Sequence, residues 1–281
     1  MLLIQQKNIV KQQARYPGRE MEMTPPTKAD NQNAQVKGKL SNKVALITAG
    51  ETELTHAVAL AFAKEGADIA LVYLNTSEDA KNTQQKVEGQ GRSCLVMNGD
   101  LADEEFCQQV VQQTIDKFGK LDILVNNAVE QNRQDSAENM SAEELEDKLQ
   151  ANMCPMFYMT QAALPYLKEG STIINTTSVT ADKGNEQVPN ASSAKGAIMT
   201  FTRSLSNSLE DKGIRVNGVA PGPVWSMVVP SNLPVNEVED FAAQMEMNRA
   251  ALLEEIAPSF VLLASDDAHY MAGQIVFMQG I

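Results

Sequence analysis

Residues 43–74 read KVALITAGETELTHAVALAFAKEGADIALVYL, and this stretch decides the fold. VALIT at 44–48 is a short apolar, β-branched run, the pattern of a strand buried on both faces. A polar turn follows it. Leu54, Val58 and Phe62 then fall on one face at helical spacing, and Gly66 closes the predicted helix. DIALVYL at 68–74 is a second buried strand. Two such strands joined through a helix form a βαβ unit, whose strands lie parallel.

Outward from this unit the alternation repeats. Helices are predicted at 78–88 and 104–118, strands at 94–97 and 123–125, and a long helix at 141–167 interrupted by Pro155 and Pro165. A strand at 172–175 (TIIN) precedes a helix at 192–210, where Ile198, Phe201, Leu205 and Leu209 keep helical spacing. Strands at 214–219 (IRVNGV) and 274–278 (QIVFM) complete the series. Alternation this regular predicts an α/β, doubly wound parallel sheet covered by helices on both faces, a Rossmann fold in a single domain over 41–281. Residues 1–40, rich in Gln, Asn, Lys and Pro and without periodicity, are expected to be a polar N-terminal arm, flexible or draped on a surface. The irregular stretch 221–234 is long enough to be a lid or binding element.

Composition narrows the function classes. With 281 residues and 43% hydrophobic content the chain can bury one large core. A formal charge of -13 excludes a nucleic-acid backbone as partner, because phosphates need a basic face, and it disfavours an anionic membrane surface. Cys94, Cys107 and Cys154 are scattered, and the two histidines, His56 and His269, lie far apart, so no metal site is expected. Gln5 and Gln6 end the apolar opening MLLI too early for a signal peptide, and no run is long enough to span a membrane. A reduced, cytoplasmic location is the expectation.

Several motifs in order carry a resemblance. Asn126-Asn127-Ala128 follows a strand, with Val129 next. Asn152 lies in the long helix, IINTTS ends at Ser178, Lys195-Gly196-Ala197 opens a helix, and IRVNGVAPGP contains Pro221-Gly222. From about residue 43 onward the chain resembles the short-chain dehydrogenases/reductases, in particular their glucose/ribitol-dehydrogenase-like, general-stress branch. YPGREMEM at 16–23 is similar to that branch's N-terminal extension. The resemblance implies an NAD or NADP cofactor, held by Thr48, Ala49, Gly50, Glu53, Leu54, Asp100, Asn126, Asn127, Ala128, Lys195, Pro221 and Gly222. It also implies that Ser178 holds the substrate oxygen, that Asn152 supports a water in a proton relay, and that Lys195 is the ammonium that lowers a tyrosine's pKa and bonds the nicotinamide ribose. A homo-oligomer, dimer or tetramer, and a hetero-oligomer with an active relative are the partners it suggests.

Two departures stand out. The family's tyrosine lies four residues before the lysine, and that position holds Ala191; no tyrosine occurs between Thr180 and Lys195. A methyl group donates no proton. Ser192 and Ser193 are too weakly acidic to replace it, and Asp182 or Glu186 would serve only if burial raised its pKa. The second departure is the phosphate turn, where the family pattern TGxxxGxG appears as Thr48-Ala49-Gly50-Glu51-Thr52-Glu53-Leu54-Thr55. All three signature glycines are replaced, and Glu53 puts a carboxylate near the expected pyrophosphate. The enoyl-reductase branch also lacks the later glycines, so a cofactor could enter by an altered turn, but that branch keeps its tyrosine.

Three readings follow: a pseudoenzyme of the dehydrogenase fold with lost or strongly reduced activity; an active NAD(P)-dependent oxidoreductase on a small alcohol or carbonyl compound with a substitute acid; or non-redox chemistry in the same pocket. Cofactor choice is unreadable at this level, since Tyr73 to Asn75 offers neither an acid for a ribose 2′-hydroxyl nor an arginine for a 2′-phosphate. Each site residue also has a plain structural role open to it: asparagine after a strand often bonds loop backbone, and a helix lysine is usually a solvated charge.

Overall fold

The computed structural model describes residues 38–75, 77–127, 141–184, 189–226 and 247–280. In chain order the elements are β1 (Val44–Ile47), α1 (Glu53–Lys64), β2 (Asp68–Tyr73), α2 (Ser77–Glu88), β3 (Cys94–Asn98), α3 (Glu104–Phe118) and β4 (Ile123–Asn126). There follow α4 (Ala142–Ala163), β5 (Thr172–Thr176), α5 (Thr180–Lys183), α6 (Pro189–Leu209), β6 (Arg215–Pro221), α7 (Leu253–Ala264) and β7 (Ile275–Met278). Among the described residues, seven strands form one sheet in the order β3-β2-β1-β4-β5-β6-β7, with every neighbouring pair parallel.

The sequence explains these elements locally. β1, β4 and β5 are buried along their whole length, as central strands covered on both faces are. Thr52 caps α1 by accepting from Thr55 N–H, and Asp103 caps α3 by accepting from Glu105 and Phe106 N–H. Along β1 the side chains alternate between two cores. Ala45 and Ile47 pack with Val58 and Phe62 of α1 and with Ile256, Phe260 and Leu263 of α7. Leu46 packs on the other face with Val110 and Val111 of α3 and Met159 of α4. Burial of each large side chain contributes about 1.5–3 kcal/mol, and the sheet is held from both sides.

The structure departs from expectation at several elements. α4 runs unbroken through Pro155 and stops at Ala163, before Pro165. Packing of α4 against both α3 and α6 offsets the one backbone bond that Pro155 removes. Helix α7 was not anticipated, because Pro258 interrupts a pattern that Ile256, Phe260 and Leu263 otherwise carry at helical spacing. The short α5 is likewise an addition, and β6 extends to Pro221. Leu40, at the edge of the expected arm, is wholly buried in the first core. Residues 1–37 of that arm, and 227–246 including most of the expected lid, lie outside the described residues.

β1 sits between β2 and β4, where the winding of the sheet reverses. In an open parallel sheet, a crevice forms outside the carboxyl ends of the strands at such a reversal, and ligands bind there. The turn after β1 and the asparagines at the end of β4 both belong to this edge.

Candidate active site

At the β1–α1 turn the backbone keeps a glycine-like path without the glycine. Ala49 has φ 57°, in the left-handed region where an alanine costs about 1–2 kcal/mol. Gly50 N–H donates to Val72 O at 2.7 Å, laying the turn against β2. The position of the last signature glycine is held by Thr55, which is fully buried. Its hydroxyl donates to Thr48 O (3.0 Å) and accepts from Asn127 Nδ2 (2.7 Å), while Asn127 N–H donates to Thr48 Oγ1 (2.7 Å). The side chain that should obstruct helix–strand packing is instead absorbed into a buried network tying β1, α1 and the end of β4 together. Glu53 is the first residue of α1, where its negative charge complements the helix dipole. Leu54 packs its side chain on the first core.

A second polar network crosses the sheet. Asn126 Nδ2 donates to Thr160 Oγ1 of α4 (3.1 Å) and to Asn175 Oδ1 of β5 (2.9 Å). Asn175 Nδ2 continues it to Thr202 Oγ1 of α6 (2.9 Å). Asn126 therefore braces two strands and two helices, rather than a loop. These are the helices that carry Asn152 and Lys195. Asn152 is buried on α4, and Thr177 Oγ1, just past β5, donates to Lys195 O on α6 at 2.8 Å.

Lys195 is no solvated charge. Its side chain is among the largest that are fully buried, and Nζ has no hydrogen-bond partner among the described residues. Burial pulls its pKa from 10.5 down to about 7, since the charged form loses its hydration. One helical turn earlier stands Ala191, itself buried. Ser178 is half-buried after β5, its Oγ accepting from Thr180 N–H (3.3 Å) and lying 3.1 Å from Thr180 Oγ1. Asp182 on α5 is exposed, so the loop does not fold it inward. Glu186 and Ala128 lie outside the described residues.

The remaining sequence candidates have structural duties. Asp100 is exposed and its Oδ1 accepts from Ala102 N–H (2.9 Å), closing the turn that leads to α3. Pro221 ends β6, and Gly222 N–H donates to Met278 O of β7 at 2.9 Å. A Cβ at Gly222 would come within 2.8 Å of that oxygen, so only glycine fits this approach. Buried hydroxyls at Thr176 and Ser192 also lack partners among the described residues, and sequence reasoning missed Thr176 because it reads as an ordinary strand residue. Glu51 was missed as well, although its carboxylate meets the end of β2. The described residues contain no group of ligating side chains that could hold a metal ion, and no helix long and apolar enough to cross a membrane.

A parallel sheet with a winding reversal at β1, and a serine, a buried lysine and paired asparagines on the elements that follow its strands, are now in place for comparison with known proteins. A family model described as Enoyl-(Acyl carrier protein) reductase matches residues 49–280. General stress protein 39 of Bacillus subtilis is 43% identical over 95% of this chain and 94% of its own length. Glucose and ribitol dehydrogenase of Daucus carota is 39% identical over 95% and 94%. A crystal structure of a short chain dehydrogenase from Burkholderia cenocepacia in complex with NADP superposes with TM-score 0.80 at 26% identity, covering 86% of this chain and 98% of that one. The chain belongs to the short-chain dehydrogenase/reductase family, and by homology it is an oxidoreductase of that family.

Proposed function

We propose that this chain is a short-chain dehydrogenase/reductase whose ordinary hydride-transfer activity is lost or strongly reduced, acting through its pocket as a binding or partner protein in a homo-oligomer or beside an active relative. The observation that carries this reading is the pair Ala191 and Lys195: no phenol stands one turn before the lysine, and the buried amine has no partner among the described residues. A nicotinamide cofactor would supply or accept the hydride. Lys195 Nζ, a buried donor left open, fits the ribose hydroxyls beside the nicotinamide, and Ser178 would hold a substrate oxygen. At the pyrophosphate the left-handed Ala49 and the helix start fit, while the Glu53 carboxylate opposes the ligand. What the chain does not supply is the positioned proton donor, worth about 10²–10⁴-fold in rate.

A second reading has one observation in its favour. An amine with a pKa of about 7 is matched to proton transfer near neutral pH, so Lys195 itself is the substitute acid if the chain turns over. Assay of NAD+- and NADP+-linked oxidation of sugar alcohols by the parent and by Ala191→Tyr separates the two. Under the first reading the parent is silent and Ala191→Tyr gains about 10²–10⁴-fold over it. Turnover by the parent, with a pH profile breaking near 7 and abolished in Lys195→Met, establishes the second.

A further inference from the structure

The end of β2 carries no acidic residue in sequence, yet the fold brings one there. The Gly50 N–H bond to Val72 O presses the β1–α1 turn onto β2 so closely that a Cβ on Gly50 would sit 3.2 Å from that oxygen. The next residue, Glu51, is thereby carried alongside the last residues of the strand. Its Oε1 accepts from Leu74 N–H at 3.4 Å. Its Oε2 is buried and has no hydrogen-bond partner among the described residues. A buried carboxylate oxygen left open is unfavourable, and a hydroxyl donor from a ligand would satisfy it.

The surroundings favour a neutral donor over an anion. Tyr73, Leu74 and Asn75 include no cation, and Asn98 spends its Nδ2 on Tyr73 O and Leu74 O (3.2 and 3.0 Å). In dinucleotide-binding sheets the adenosine ribose lies at this strand end, where an acidic side chain accepts from its hydroxyls and a 2′-phosphate needs an arginine. We propose that Glu51 is the adenosine-ribose acceptor of this chain, reaching from the phosphate turn to do so, and that it makes the crevice select NAD over NADP. The inference depends on nucleotide binding and is independent of whether hydride is transferred. A 2′-phosphate would set its negative charge against Glu51 at a few ångströms, a repulsion that corresponds to about 10- to 100-fold in affinity in a half-open site.

Isothermal titration of the full chain with NAD+, NADP+, 5′-AMP and adenosine 2′,5′-bisphosphate tests it without any turnover. The expected result is a preference of at least about tenfold for NAD+ over NADP+, with the same sense for the two fragments. Glu51→Gln, which keeps the shape and removes the charge, is expected to bring the two dinucleotides within about threefold by gaining NADP+. Its thermal melting curve establishes that it is folded, and Glu51→Ala provides an independent check on the ratio. Equal binding, tighter NADP+, or a preference unchanged in both variants overturns the assignment. Absence of binding by every probe also overturns it, while leaving the lost-activity reading standing. Selective NAD+ binding with brisk turnover does the reverse.

Discussion

The β1–α1 turn and the head of α6 each depart from the pattern that the sequence resemblance implies, with different structural outcomes. At the turn, Ala49 holds φ 57° and Thr55 bonds the buried Thr48 and Asn127 and the half-buried Thr52, so the turn stays ordered without glycine at these positions. At the head of α6, the helix, its anchor to Thr177 and the buried Lys195 all remain, but Ala191 offers only a methyl group and Lys195 Nζ is left without a described partner. The first function is performed by backbone, and many side chains tolerate the same backbone at some cost in strain. The second depends on one hydroxyl at one position, and Ala191 supplies none.

The largest expected effect tests the orphaned amine. With a native pKa of about 7, Lys195 gives up its proton well before an unfolded lysine, at about 10.4, does so. Below pH 7 both states are charged and the full cost of burying the ammonium applies. Between the two values the unfolded chain holds the extra proton, so stability rises with pH across that window. Relative to Lys195→Met, the wild type should gain about 4 kcal/mol between pH 7 and 10 in urea denaturation. Parallel curves for the two proteins would mean the amine is solvated or paired, and the contrast between the two regions would collapse.

A smaller effect tests the repaired turn. Thr55→Val keeps the volume but leaves Thr48 O and Asn127 Nδ2 without their partner, and should cost about 2–3 kcal/mol by chemical denaturation. A neutral result would show that the network is incidental to holding the turn. The smallest effect concerns strain. Ala49→Gly relieves a left-handed alanine while adding freedom to the unfolded chain, for a net gain of up to about 1 kcal/mol. A loss of stability there would show that Ala49 is held in its conformation at no cost, and that the turn was rebuilt rather than merely tolerated.

Much of this molecule was legible in one dimension. The βαβ reading of residues 43–74 leads directly to the parallel sheet, because β-branched runs and helical spacing are properties of neighbours in sequence. Helix α7 escaped that logic, since Pro258 normally argues against a helix and only packing of Ile256, Phe260 and Leu263 on the sheet overrides it. The gap at Ala191 was equally visible, being a matter of spacing to Lys195.

Tertiary structure alone decided what the surviving residues are doing. Whether Lys195 is a surface charge or a buried base depends on what covers α6, and whether Thr55 blocks or braces depends on Asn127 arriving from β4. Glu51 is the sharpest case: its nearest meaningful neighbour, Leu74, is 23 residues away, and only the register of the turn on β2 brings the two together. Chemistry carried by residue type is written in the sequence, whereas chemistry that depends on burial and on partners from other strands comes into being when the sheet is assembled.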